Sequence, residues 1–378
     1  MEREFMNTME ITDSINKGKV IRSSNLELLR LVCMLYIVIH HILIHALHQV
    51  AGYGASANLT NSTVESTILD SFFYVAVNSF ILISGYFSIR LKPNKLIHLY
   101  VMCAFYGTLF YFMHLYLDHQ SVGKTFLSNS VFVISNTQDW WFIQSYFFLC
   151  LLSPLLNKSV DFMSKKEHLS SILLLTFINV YFGYFWHNPV NSDGYNVMNF
   201  IYLYVIGQYI KKYISIDNFK PLRFKLAISY VFFSFLLAVL VLFNDIVLRR
   251  NGATSIFWTY NDPIVIISSI IFFCIFLTFD VRSRIVNWLA TSTLAVYLIH
   301  ENGYSRHYIY DFIGRICKFP FLLNHLIFIY LSILLLAILL MITCILFDKL
   351  FQKVFKPVEN LLLFFWNKIE SKYTTLVN

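Results

Sequence analysis

Apolar residues gather in ten runs, at 26–47, 69–87, 96–117, 140–157, 169–187, 197–214, 223–248, 262–280, 285–304 and 323–349, with short polar stretches between them. Most runs approach or exceed the roughly 20 residues that a helix needs to cross a hydrocarbon core. The runs at 197–214 and 285–304 are the weakest. Transmembrane β-strands need only about 9–11 residues, and lipid offers no partner to an open sheet edge. The pattern therefore predicts an all-α integral membrane protein, a bundle of about ten transmembrane helices. The first run follows 25 mixed residues and contains Arg30, His40 and His41, as expected of a retained anchor rather than a cleaved leader.

Composition agrees with this pattern. The chain is 57% hydrophobic and 13% charged, against about 25% charged in soluble domains. Phe (38) and Tyr (24) are abundant, as suits lipid-facing helices. With the N-terminus inside, 22 of the 29 Lys and Arg fall on the inner side, six on the outer side, and Arg30 within the first run. This bias predicts that both termini are cytosolic. The net charge of +8 then follows from topology and implies no nucleic-acid partner. Residues 1–25 read as a cytosolic tail, 26–349 as the membrane domain and 350–378 as a second cytosolic tail. In that last tail Val358, Leu361, Leu362, Phe365 and Ile369 recur at helical spacing, predicting a helix on the inner membrane surface. Trp140, Trp141, Trp186 and Trp258 stand near outer ends of runs, where an aromatic belt is expected. Asn58 and Asn61 open glycosylation-type triplets in an outer loop. Five cysteines lie within runs and Cys317 in a loop; no CxxC spacing suggests a disulfide framework or a metal.

Chemistry concentrates in the first run. An ionisable side chain inside a span costs about 2.5–3.5 kcal/mol on insertion scales, so it usually faces a cavity or a partner. Arg30 and His41 are eleven residues apart, which at about 100° per residue places them on one stripe, about 16 Å apart along the axis. His40 is expected to face a neighbouring helix or lipid. Glu27, one turn before Arg30, can pair with it, and Arg30 can instead snorkel to the surface. His41 and His45 have the spacing of two zinc ligands, but no third ligand is evident, so no metal is expected.

Four segments, in order, carry a resemblance. They are Glu27-Leu28-Leu29-Arg30 with His41; Phe80-Ile81-Leu82-Ile83-Ser84-Gly85-Tyr86-Phe87; Trp140-Trp141-Phe142-Ile143 running on to Ser153-Pro154; and Ser292 through Tyr297-Leu298-Ile299-His300. Together they resemble the membrane enzymes of acyltransferase family 3, over about residues 25–350. Glu27 stands where that family usually has Asp. The resemblance implies transfer of an acyl group, usually acetyl, from acyl-CoA to a hydroxyl of an extracytoplasmic or lipid-linked glycan. It implies no bound cofactor, acetyl-CoA as co-substrate, membrane lipid around the chain, and the plasma membrane of a bacterium making surface polysaccharide. His41 is then the expected general base, with a covalent acyl-histidine as the alternative. Arg30 is expected to contact donor phosphate or carbonyl oxygens, and Glu27 to orient it. His300, predicted at the same depth as His41, is either an orienting partner or a helix cap. Ser84, Tyr86, Arg90 and Lys92 are donor-binding candidates, whereas Glu301 and Trp141 carry weaker signals. A glycan polymerase or flippase would need larger basic outer loops. A transporter would be expected to show broken helices or an internal repeat, and neither is visible in the sequence.

Overall fold

The computed structural model describes residues 23–52, 60–119, 121–123, 125–134, 140–187, 191, 193–247, 257–318 and 326–377. The expectations for Asn58, for Lys124, for Arg249 and Arg250, and for most of the N-terminal tail lie outside these residues. Among the described residues the protein is helical without strands.

In chain order the helices are α1 (Ser24–His41), α2 (Asn61–Phe73), α3 (Ala76–Phe87), α4 (Pro93–Leu117), the short α5 (Phe126–Ser130), α6 (Trp141–Phe162) and α7 (Lys165–Thr176). They continue with α8 (Val197–Tyr213), α9 (Arg223–Val247), α10 (Pro263–Leu277), α11 (Arg284–Ala290), α12 (Thr293–His300), α13 (Arg306–Cys317) and α14 (Leu326–Val377). Two π-helical stretches extend α1 and α7, at Ile42–Ala46 and Phe177–Phe185. The described residues of each of the ten apolar runs are largely helical. Among the described residues, six helical segments are long and apolar enough to cross a membrane: Ser24–Ala46, Asn61–Phe87, Pro93–Leu117, Lys165–Phe185, Ile216–Asp245 and Ile327–Lys372.

Small residues set a close contact between α3 and α8. Gly85 on α3 and Gly207 on α8 face each other's backbone. A Cβ on Gly85 would fall onto the Tyr204 carbonyl, and one on Gly207 would lie 2.5 Å from the Leu82 carbonyl. Gly85 is therefore a packing glycine, of the kind that lets membrane helices approach closely. On α6, Pro154 cannot donate to the Cys150 carbonyl one turn earlier. The Ser153 hydroxyl donates to that carbonyl instead, at 2.7 Å, so the helix crosses Pro154 with its backbone satisfied.

Three details depart from the sequence expectations. The run at 285–304 is not one helix: it breaks at Thr291–Ser292 between α11 and α12. Its hydroxyls compete for the backbone, Thr291 Oγ1 donating to Trp288 O (2.7 Å) and Thr293 Oγ1 to Ala290 O (3.0 Å). Asp348 of α14 receives the Ser292 hydroxyl (2.6 Å), the Tyr106 hydroxyl (2.9 Å) and the Gln352 amide (2.7 Å), pinning the break to α4 and α14. The tail after 349 is not a separate helix either; α14 runs through Pro357 for 52 residues. Its stripe at Val358, Leu361, Phe365 and Ile369 is exposed. Of the four tryptophans assigned to an aromatic belt, only Trp186 is exposed. Trp140 and Trp258 are buried, Trp258 Nε1 donating to Ala51 O at 2.6 Å, and Trp141 lines an internal cavity.

Candidate active site

Two cavities share Arg30 and Ala290 in their walls. The inner cavity, about 290 Å³, is walled by Met34, Ile37, Val77, Phe80, Phe142 and Leu294. Polar groups enter it from Arg30, His40, His41, Ser84, Tyr146, Thr293, Tyr260 and Tyr297. The second, about 540 Å³, is a polar vestibule bounded by Glu27, Arg30, His98, Thr291, Gln352, Lys356 and Glu359. Ala290 ends α11, so the helix break lies at the wall they share.

Arg30 is positioned by Glu27, its Nη1 donating to Glu27 Oε1 at 2.9 Å. This is the pair expected from the sequence. Arg30 lines both cavities, and its side chain is 30% exposed. His41 lies on the same stripe, as predicted, about three turns further along α1. Its Nδ1 is 3.1 Å from His300 Nε2 and 2.7 Å from Glu301 Oε2. His300 Nδ1 donates to Val296 O at 2.6 Å, which leaves its Nε2 as an acceptor. The His41 proton therefore sits on Nδ1 and its Nε2 lone pair is the basic atom. His300 thus meets His41 within hydrogen-bond distance, 259 residues away in sequence.

His40 departs from expectation. It packs against a neighbouring helix, but it also lines the inner cavity beside His41. The cavity is wide enough to take in two adjacent positions of α1. His40 Nδ1 donates to both oxygens of Asp70, at 2.7 and 2.9 Å, and Asp70 is wholly buried on α2. The site therefore holds two imidazole–carboxylate pairs side by side, His40–Asp70 and His41–Glu301, with the two imidazole rings 5.3 Å apart. Burying a carboxylate beside an imidazole is expensive and weak evidence for stability; two such pairs at one cavity point to chemistry.

Of the donor-binding candidates, only Ser84 lines the inner cavity, its hydroxyl donating to Phe80 O at 2.9 Å. Tyr86 is buried against Phe273 with the Lys211 ammonium 4.7 Å above its ring. Arg90 and Lys92 are exposed. None of these three lines either cavity. The positive-inside bias already accounts for Arg90 and Lys92. Sequence reasoning missed Asp70, His98, Gln352, Lys356 and Glu359, and undervalued Trp141 and Glu301. Trp141 stacks on Tyr260 (5.4 Å between centroids) and packs on Tyr195 (4.5 Å), forming an aromatic wall at the His40 end of the cavity. An acidic residue next to the His300 motif was the one available signal for Glu301. His98 of α4 is tied to Glu359 of α14 at 2.5 Å, a contact no sequence pattern announces.

A family model described as an acyltransferase domain matches residues 23–366. No curated protein and no solved structure matches the chain.

Proposed function

Since the chain belongs to that acyltransferase family, acyltransferase family 3, we propose that it moves an acetyl group from cytosolic acetyl-CoA to a hydroxyl of an extracytoplasmic or lipid-linked polysaccharide, in a bacterial plasma membrane. The observation that carries this reading is the shared Arg30. A polar vestibule and an aromatic cavity both have it in their walls, and two carboxylate-held histidines line the aromatic cavity.

Arg30 lies about 16 Å below His41 along α1. That separation favours the donor's phosphate oxygens over the reacting carbonyl as the partner of Arg30. A guanidinium suits phosphate oxygens because its fork of donors matches them. In the vestibule, Lys356 joins Arg30 in meeting the anionic head of the donor, and the pantetheine arm passes Arg30 into the apolar cavity. The aromatic faces of Trp141 and Tyr260 suit a sugar ring, as in sites where apolar walls hold a ligand and a few polar groups orient it.

The chemistry balances with these groups alone. His41 Nε2 takes the acceptor hydroxyl proton as the oxygen attacks the thioester carbonyl. The tetrahedral adduct collapses, breaking the carbon–sulfur bond and releasing the CoA thiolate, which recovers the proton from His41. Glu301 and His300 hold His41 in the tautomer this requires. A polymerase, flippase or transporter has less support. The helix break at Thr291–Ser292 is a feature transporters share, but it borders a cavity whose polar groups are arranged for proton transfer. The deciding experiment incubates purified protein with acetyl-CoA and a polysaccharide acceptor, following free thiol and acetylated glycan together. Stoichiometric production of both is expected. Hydrolysis of acetyl-CoA without glycan acetylation, or neither product, overturns the assignment.

A further inference from the structure

The sequence offered only His41 and His45 as metal-binding partners, and the fold supplies what was missing. His41 Nδ1, His300 Nε2 and a Glu301 carboxylate oxygen all lie within 4.8 Å of one another. Glu301 is nine-tenths buried, and its Oε2, though 2.7 Å from His41 Nδ1, makes no aligned hydrogen bond. His45 approaches from the next turn, Nε2 3.5 Å from Glu301 Oε1.

We propose that His41, His300 and Glu301 form a site for a divalent cation of the zinc class, with His45 as a fourth ligand, and that metal occupancy switches His41 off as a base. Zinc holds nitrogen and oxygen ligands at about 2.0–2.2 Å, so tetrahedral ligands stand roughly 3.3 Å from one another. The contacts at 2.7 and 3.1 Å are both shorter than that spacing, and an outward movement of the rings admits the ion. The outer contacts have the form of a metal site's supporting shell. His300 donates its other ring N–H to Val296 O, which aims the Nε2 lone pair inward, and Arg306 Nη1 holds the second Glu301 oxygen at 2.9 Å. Three imidazoles and one carboxylate favour zinc over magnesium or calcium, which prefer all-oxygen sites.

The switch follows from counting lone pairs. A neutral imidazole has one. Metal bound at Nδ1 uses it and sends the ring proton to Nε2, so His41 can no longer accept a proton from a hydroxyl. This second half of the proposal rests on the acyl-transfer reading; the metal site itself does not.

The test therefore measures binding without turnover first. Full-length protein in lipid nanodiscs, stripped with a chelator and freed of any affinity tag, is titrated with Zn²⁺ against a fluorescent zinc indicator. One ion per chain at micromolar concentration is expected. Affinity should fall by about 10–100-fold or more in His300→Gln and Glu301→Gln, as loss of even a supporting contact typically costs that much. Size-exclusion profiles establish that the variants are folded, and His45→Ala gives a second, milder probe with a smaller loss. Absence of stoichiometric binding, or binding untouched by all three substitutions, overturns the site. Thiol release from acetyl-CoA is then followed as zinc is added and withdrawn. Activity should fall in step with occupancy and return with EDTA; full activity at saturating zinc overturns the switch.

Discussion

At the residue scale, helical geometry read from the sequence was enough to pair Arg30 with His41 and to put Glu27 beside Arg30, because all three lie on one helix. It failed for His40, since the width of a cavity is a property of several helices at once. Asp70 and Glu301 were invisible or faint for the same reason. They lie 30 and 260 residues from the histidines they hold, and no spacing rule spans that separation. This changes what mutants should show. His41→Ala should cost about 10²–10⁴ in kcat, the usual contribution of a general base, at unchanged folded yield. His40→Ala alone is a poor test, because it strands the buried Asp70 carboxylate, and breaking a buried pair typically costs about 3–5 kcal/mol. The double variant His40→Leu/Asp70→Leu removes both polar groups and should recover the folded yield. Its transfer rate, measured per folded molecule, should stay well above that of His41→Ala. If the double variant folds and is as inactive as His41→Ala, the base assignment moves to His40. Arg30→Lys retains charge but loses the planar fork. It should raise the KM for acetyl-CoA several-fold with a smaller effect on kcat, and unchanged kinetics would remove Arg30 from donor binding.

At the scale of elements, hydropathy located all ten helical runs but not the interruption at Thr291–Ser292. Hydropathy averages over a window, whereas a break depends on local hydroxyls and on Asp348, more than 50 residues away. Asp348 is the member of that network with the clearest signature. Asp348→Ala leaves Tyr106, Ser292 and Gln352 without their acceptor, and each buried polar group so stranded costs about 1–3 kcal/mol. A lowered thermal transition in detergent is expected, with Asp348→Asn losing less because its carbonyl still accepts. Equal transitions for all three proteins would show the network to be dispensable. Gly207→Val probes the other fixed contact. Valine cannot fit 2.5 Å from a carbonyl, so α3 and α8 must separate, and thermal stability should drop by more than an ordinary overpacked substitution, about 1–3 kcal/mol.

Across the whole molecule, the distribution of Lys and Arg sets the expected topology. Ten spans with both termini inside require the connection at 158–168 to be cytosolic. In a background with the six native cysteines replaced, a cysteine at Lys165 should react with an impermeant maleimide only after the membrane is opened. A cysteine at Phe132 should react in intact cells. Labelling of the Lys165 position in intact cells would reverse the arrangement.

The 52 residues of α14 have a further consequence. At 1.5 Å each they make a rod of about 78 Å, against roughly 40–45 Å for a bilayer with its headgroups. The surplus holds Leu361, Phe364, Phe365, Trp366 and Ile369, all about half exposed or more. In a cell that face can rest on lipid, turning at Pro357 where one backbone hydrogen bond is missing. In a detergent micelle the bilayer plane is gone, and the same face becomes an adhesive strip between molecules. How the protein behaves on a gel-filtration column is then a property of its last eighteen residues. A chain ending at Asn360, which keeps Glu359 against His98, should elute as a sharper and smaller species than the full-length protein.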